Sequence, residues 1–292
     1  MTLLEAALLG IVQGVFMFVP VSSTAHLVAT QHLLIASGSQ IPPPESPQMI
    51  FFDLVVHVGT LVSVVWVFRL QIAQFLSGTA TELRRLAKRE IRGETAPRQS
   101  WFVLRLWMLG LLSVFVTGTM GLAFRDLFKT VFATPAMLAA TFTITGILLY
   151  VTDRLPPRRL GIKDIGPAMA LAIGFAQGLA LIPGLSRSGL TIIAALLCGL
   201  KRKRAAEYSF FIAFPTILAA TAVQAAGLAR AGEPLAIAAA PLAVAFVVSA
   251  LVGVVALKLV LALLYRARLR YFSYYLWALA LLVLVGFGDV LT

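Results

Sequence analysis

Cysteine is nearly missing from these 292 residues: Cys198 is the only one. A lone thiol excludes a disulfide framework and any all-cysteine metal site. Its plain reading is a small apolar residue inside a helix. Charge is scarce too, at 12% of residues against about 25% in an ordinary soluble domain. No polar stretch is long enough to fold by itself, so one integral domain is expected, residues 1–292. What fills the gap is apolar: 60% of the chain is hydrophobic and the mean hydropathy is +0.94. A water-soluble protein of this length could not hide so much apolar surface, so lipid must be its solvent. The fold class read from this is all-α, a polytopic membrane protein.

Acidic residues are half as common as basic ones, 12 against 24, for a formal charge of +12. In a soluble protein that excess would raise nucleic-acid binding. Here the basic residues sit in short loops between apolar segments, so the positive-inside rule accounts for them and no nucleic-acid partner is expected. The N-terminal apolar run lacks a basic start, and its first charge is Glu5. It therefore reads as part of the mature fold rather than a secretory signal.

A full span needs about 20 apolar residues. Six segments qualify: 50–72, 101–123, 133–152, 207–229, 235–262 and 271–291. Two others break halfway. Residues 3–36 are interrupted at Pro20-Val21-Ser22-Ser23-Thr24, and residues 167–200 at Pro183-Gly184-Leu185-Ser186-Arg187-Ser188-Gly189. Each half is too short to cross alone, so two re-entrant helix hairpins are expected, with their irregular backbone facing protein or a water-filled cavity. Six spans and two hairpins put four basic clusters on one side. These are the loop 82–98 with Arg84, Arg85, Lys88, Arg89, Arg92 and Arg98, the loop 153–164, Lys201–Arg204, and Arg266 with Arg268 and Arg270. Both termini then lie outside the cytoplasm.

The broken segments resemble each other. Gly10-Ile11-Val12-Gln13-Gly14 recurs as Gly174-Phe175-Ala176-Gln177-Gly178, each followed by a proline and a serine-rich turn. Because the hairpins enter from opposite sides, the chain reads as an inverted repeat with halves 1–152 and 153–292, whose breaks meet near the midplane and build a site.

That site would suit an anion. Ser22, Ser23 and Thr24 are placed to cap the helix bearing His26, and Ser186 and Ser188 the helix starting near Gly189, with Thr191 in its first turn. Helix N-termini facing one cavity attract negative charge. Arg187 adds a guanidinium whose fork matches phosphate oxygens; the plain alternative is an ion pair with Asp53 or Glu207. Gly184 and Gly189 let the backbone bend and approach a ligand. His26 is a candidate general base, acid or nucleophile, and Ser23 beside it a candidate nucleophile or phosphate ligand. Gln13 and Gln177 are candidates to orient a phosphate oxygen or water; the alternative is helix–helix glue. Asp53 and His57 share a helix face and are candidate supporting groups.

The motifs also carry a resemblance. Val19-Pro20-Val21-Ser22-Ser23-Thr24-Ala25-His26 and Pro183-Gly184-Leu185-Ser186-Arg187-Ser188-Gly189-Leu190-Thr191 resemble the two signatures of the undecaprenyl-diphosphate phosphatase family, the bacitracin-resistance type. Segments around Asp53–Leu61 and Arg204–Phe210 resemble it as well, in the right order over nearly the whole chain. The resemblance implies hydrolysis of undecaprenyl diphosphate to the monophosphate and phosphate at the periplasmic side of the bacterial inner membrane. It implies Arg187 binding the diphosphate, with Ser23 and His26 serving the transfer. A bridging Mg²⁺ or Ca²⁺ is the cofactor to expect, with its protein ligands unassigned, and no organic one; the partners are the polyprenyl lipid, the membrane and a second copy of the chain in a homodimer. One position departs from the pattern. Where the family's first hairpin carries a second glutamate, this chain has Met17, which can neither take a proton nor hold a divalent ion well. The competing reading is a protein that binds or translocates a polyprenyl phosphate without hydrolysing it.

Overall fold

A computed structural model describes residues 1–87, 101–124, 135–231 and 237–287. Among them the chain is α-helical, with one isolated bridge between Leu160 and Leu200 and no strand. The helices are α1 (Leu3–Phe16), α2 (Ser23–Ala36), α3 (Pro47–Val67), α4 (Arg69–Ala87), α5 (Phe102–Ala123), α6 (Pro135–Asp153), α7 (Pro167–Leu179), α8 (Arg187–Leu197), α9 (Arg202–Ala231), α10 (Ala239–Tyr265) and α11 (Arg270–Leu282). A 3₁₀ turn covers Ile162–Asp164 and a π turn Val283–Phe287.

Local chemistry sets many of these boundaries. Thr2 and Glu5 form a reciprocal capping box that starts α1. Ser46 caps α3 ahead of Pro47, a residue with no amide hydrogen to satisfy at a first helical position. Ser186 caps α8, accepting from the Gly189 amide at 3.2 Å. Glu82 of α4 accepts from the amides of Val103 and Leu104, both at 2.9 Å. A carboxylate on those first-turn donors favours the start of α5 and ties α4 to it.

Five helices, α3, α5, α6, α9 and α10, are long and apolar enough to cross a membrane. The expected sixth span, 271–291, is described only to Phe287 and appears as α11 plus the π turn. The expected span 50–72 is cut at Phe68, and α4 follows where a basic loop from residue 82 was anticipated. The amphipathic stretch after Arg69 buries only Glu82 in α4, so it forms a helix without the apolar content of a span. Lys88, Arg89, Arg92, Arg98, Arg125 and Lys129 lie outside the described residues.

The broken segments are pairs of short helices. α1 and α2 have 14 residues each, α7 13 and α8 11. At 1.5 Å per residue the longest is about 21 Å, short of the roughly 30 Å hydrocarbon layer. What packs them is backbone against backbone. α1 lies chiefly on α10, and α7 on α5. A Cβ at Gly10 would sit 2.8 Å from the Ala245 carbonyl oxygen, one at Gly14 2.9 Å from that of Ser249, and one at Gly174 2.7 Å from the Ser113 Cα. The glycine pairs at spacing four are therefore close-approach seams of the kind membrane helices use, where dispersion and small residues replace a hydrophobic driving force. Ser113 stitches the α5–α7 seam, its Oγ donating to the Ala170 carbonyl at 2.8 Å, and Ser249 ties α10 to the neighbouring α3, its Oγ donating to the Val56 carbonyl at 3.1 Å.

Gly174→Val drives a branched side chain into the α5 backbone and should destabilise the fold by about 1–3 kcal/mol. Gly118→Val, whose Cβ meets nothing within 4 Å, should be tolerated. Thermal unfolding in detergent micelles checks both: Gly174→Val lowers the midpoint and Gly118→Val leaves it in place.

Candidate active site

The breaks at the ends of α1 and α7 meet. Residues from both breaks, including Met17, Ser22, Ser23, Ser186 and Arg187, line with His57 of α3 one cavity of about 220 Å³, room for a pyrophosphate-sized group. Ser188 Oγ donates to the Phe18 carbonyl at 3.4 Å, joining the two turns directly. Gly184 makes the second turn possible: its φ of +85° is left-handed, and its carbonyl accepts from Thr145 at 3.3 Å.

Arg187 dominates the cavity. It is the only formally charged side chain in the lining. Among the described residues no carboxylate pairs with it; the ion pair found is Arg204 with Glu207 at 2.6 Å, and Asp53 accepts from Gln31 Nε2 at 2.9 Å instead. The contact recorded for its guanidinium is Met17 Sδ, 3.8 Å from Nη2. Its backbone is well held. Thr191 Oγ1 donates to the Arg187 carbonyl at 2.8 Å and meets Ser209 Oγ at 2.5 Å, so α9 braces the first turn of α8.

The first break behaves differently from expectation. Ser22 was to cap α2, yet its side chain makes no cap hydrogen bond. It sits instead at φ 70°, ψ 91°, a conformation that costs a non-glycine residue about 1–3 kcal/mol. His26 holds it there. His26 Nδ1 lies 2.7 Å from the Ser22 carbonyl oxygen. A carbonyl only accepts, so Nδ1 carries the proton. In the neutral ring Nε2 is then an acceptor, and the Tyr275 hydroxyl donates to it at 2.6 Å. Phe16 stacks on the imidazole with centroids 3.9 Å apart. His26 is therefore engaged on both nitrogens and does not line the cavity. Among the described residues it has no hydrogen bond to Ser23. The start of α2 has no side-chain cap, and Ser22, Ser23 and Thr24 line the cavity there.

The remaining candidates divide. Ser186 and Ser188 line the cavity, as does His57, whose Nδ1 donates to the Asp53 carbonyl at 2.7 Å. Gly184 and Thr191 shape the turn and the helix behind it. Gln13 is fully buried and reaches the cavity only through Met17, its Nε2 lying 3.5 Å from the sulfur. Gln177 donates to Thr117 Oγ1 at 3.0 Å and Thr216 Oγ1 at 2.9 Å, the interhelical glue role rather than ligand contact. Asp53 stands behind His57 and not in the lining. Sequence reasoning missed Phe16, Ser209 and Tyr275. Tyr275 sits in an aromatic run with Tyr271, Tyr274 and Trp277 that looks like an interfacial belt, which conceals its contact with a residue 249 positions away.

A half-buried guanidinium and several hydroxyls in one pocket are groups suited to a small, multiply charged anion. A family model described as "Bacitracin resistance protein BacA" matches residues 6–282. A protein named "Undecaprenyl-diphosphatase" from Alkalilimnicola ehrlichii is 53% identical over 99% of this chain and 98% of its own length. One of the same name from Halorhodospira halophila is 50% identical over 99% of each chain, and one from Desulfatibacillum aliphaticivorans 36% over 97% and 98%.

If Arg187 is the anion's principal partner, Arg187→Lys should weaken inorganic pyrophosphate binding by about 1.5–3 kcal/mol, roughly tenfold to hundredfold in Kd. Isothermal titration calorimetry in detergent measures this. Unchanged affinity would place the anion elsewhere.

Proposed function

The chain belongs to the bacitracin resistance protein BacA family, and we propose that its cavity hydrolyses undecaprenyl diphosphate to undecaprenyl phosphate and inorganic phosphate. The observation that carries the reading is Arg187, a half-buried cation among apolar helices with no carboxylate partner among the described residues, lining a cavity with several hydroxyls. A charge held inside a bilayer without a partner of opposite sign is costly unless a ligand supplies that sign. The diphosphate head would do so, while its prenyl tail lies among the apolar helices.

The fold follows the same reading. α1–α2 and α7–α8 are two re-entrant hairpins of an inverted repeat, supported by their length and by the exchanged pairings of α1 with α10 and α7 with α5. The described basic clusters, from Arg84 and Arg85 to Arg270, mark the cytoplasmic face of the bacterial inner membrane, and the cavity opens to the periplasm. A homodimer belongs to the same proposal.

In the reaction, Arg187 and the free amides of α2 take up the negative charge that builds on the terminal phosphoryl oxygens. Phosphoryl transfer asks mainly for such positioning and charge stabilisation. Ser23, the first residue of α2, offers its hydroxyl to the cavity as the nucleophile. The new Ser23–phosphorus bond forms as the bridging oxygen leaves with undecaprenyl phosphate, and water then releases phosphate from Ser23. His26 serves by fixing the Ser22 carbonyl and hence the turn that presents Ser23. A Mg²⁺ or Ca²⁺ ion does not fit the lining. It contains no carboxylate and one cation, and no cluster of three or more candidate ligands exists among the described residues. The steps are accordingly drawn from the chain's own groups.

Met17 is where this chain departs from the family pattern. Two donors, Gln13 Nε2 and Arg187 Nη2, converge on its sulfur. A thioether accepts weakly, so Arg187 stays free for the substrate.

Purified protein should release phosphate from a polyprenyl diphosphate, and Ser23→Ala should lower kcat by at least about 10²-fold. Lipid binding without phosphate release in the wild type would favour a binding or translocating protein instead. Met17→Glu should raise KM about tenfold, because a carboxylate there pairs with Arg187 and competes with the diphosphate. A large rise in kcat would instead mark position 17 as a missing catalytic part.

A further inference from the structure

When Ser23 attacks phosphorus its proton must go somewhere, and the cavity narrows the choice. Of the lining residues, only His57 and Arg187 carry nitrogen bases in their side chains. Arg187 remains a cation at any working pH. Met17 is a thioether and cannot take a proton, and Asp53 is turned away toward Gln31.

The two imidazoles near the site are in opposite situations. His26 has both nitrogens occupied, by the Ser22 carbonyl and the Tyr275 hydroxyl, and lies behind Phe16 outside the lining. His57 has one nitrogen occupied. Nδ1 sits 2.7 Å from the Asp53 carbonyl oxygen, one helical turn back. That oxygen can only accept, so Nδ1 is the protonated nitrogen and Nε2 carries a lone pair. Among the described residues Nε2 has no hydrogen-bond partner, and its residue forms a wall of the cavity. The backbone of α3 thus fixes the tautomer in the way a carboxylate or carbonyl does for a catalytic histidine elsewhere. The charged and titratable groups around it are Arg187 from α8 and Asp53 on its own helix. The turn between α1 and α2 contributes hydroxyls and the Met17 thioether. A vacant acceptor facing a hydroxyl-lined anion pocket is the geometry a general base requires.

We infer that His57, not His26, is the group that exchanges protons with the reacting phosphate, accepting the Ser23 proton and returning one when phosphate leaves. His26, clamped by Tyr275, is a positioning residue for the Ser22 turn.

This assignment rests on the diphosphatase reading, so the test has two arms. In the first, phosphate release is followed in the wild type, His57→Gln and Tyr275→Phe. Glutamine keeps an N–H for the Asp53 carbonyl but cannot take a proton. We expect kcat of His57→Gln to fall about 10²-fold or more, with KM within about twofold and the melting midpoint unchanged. Tyr275→Phe should cost much less in kcat. A kcat near wild type in His57→Gln, or a larger loss in Tyr275→Phe, overturns the assignment. The second arm needs no turnover. Pyrophosphate binding is titrated near pH 7 in buffers of different ionisation enthalpy, which counts protons taken up on binding. The wild type should take up more protons than His57→Gln, because the polyanion raises the proton affinity of His57 and a fraction of the imidazoles protonate near pH 7, and His26→Gln should match the wild type. If only His26→Gln loses the uptake, or neither variant does, the inference fails. If uptake behaves as expected but the wild type releases no phosphate, the hydrolytic reading fails and the proton-exchange site at His57 stands.

Discussion

A guanidinium held among membrane helices without a carboxylate beside it governs the rest of this molecule. Burying an isolated charge is costly, and breaking a buried pair by losing one partner costs several kcal/mol. Arg187 is maintained in that condition by structure around it rather than by an ion pair. Ser186 caps its helix, Thr191 binds its carbonyl, and Ser209 braces Thr191 from α9. The positions that could neutralise it are filled by a thioether at Met17 or turned aside, as Asp53 is toward Gln31. Electrostatic complementarity is left incomplete, and the proposed diphosphate head would complete it.

Placing such a residue at depth requires chain breaks there, and chain breaks in a bilayer require shielding. The glycine seams provide it. With Gly10 and Gly14 against α10, and Gly174 against α5, the short helices approach their supports so closely that a methyl group would collide with backbone. Dense contact of this kind anchors α1 and α7 although neither can span the bilayer. Each broken segment of one half leans on a spanning helix of the other. The two breaks are thus held face to face by the elements that shield them.

Much of this was legible in the sequence, because the relevant signals are local. The interruptions at Pro20–Thr24 and Pro183–Gly189 sit inside apolar runs, and both Gly-x-x-Gln-Gly segments fall in short helices that end at those breaks. Arg187 within a serine-rich turn announces its own importance. What stayed hidden was long-range or conformational. The helix α4 follows a break at Phe68 that no proline or glycine marks. Gln177 looks like a site residue until Thr117 and Thr216, from α5 and α9, are seen to take its amide. The left-handed backbone of Ser22 has no signature either, since serine before a helix normally reads as a cap. His26 looked free because Tyr275 arrives from the far end of the chain.

The strain at Ser22 gains its meaning from these arrangements together. An ordinary serine cap would satisfy the α2 amides from within, stabilising the helix and closing the anion site. Here the His26–Ser22 hydrogen bond holds a turn that is costlier for the fold. Phe16 stacking and the Tyr275 hydroxyl keep the imidazole rigid, so the cost is spread over packing contacts from α1, α2 and α11. The start of α2, which lacks a side-chain cap, and Arg187 then line the same cavity. Local stability is given up where the ligand binds and recovered where the helices pack, the pattern expected when a sequence breaks a folding rule at a functional position.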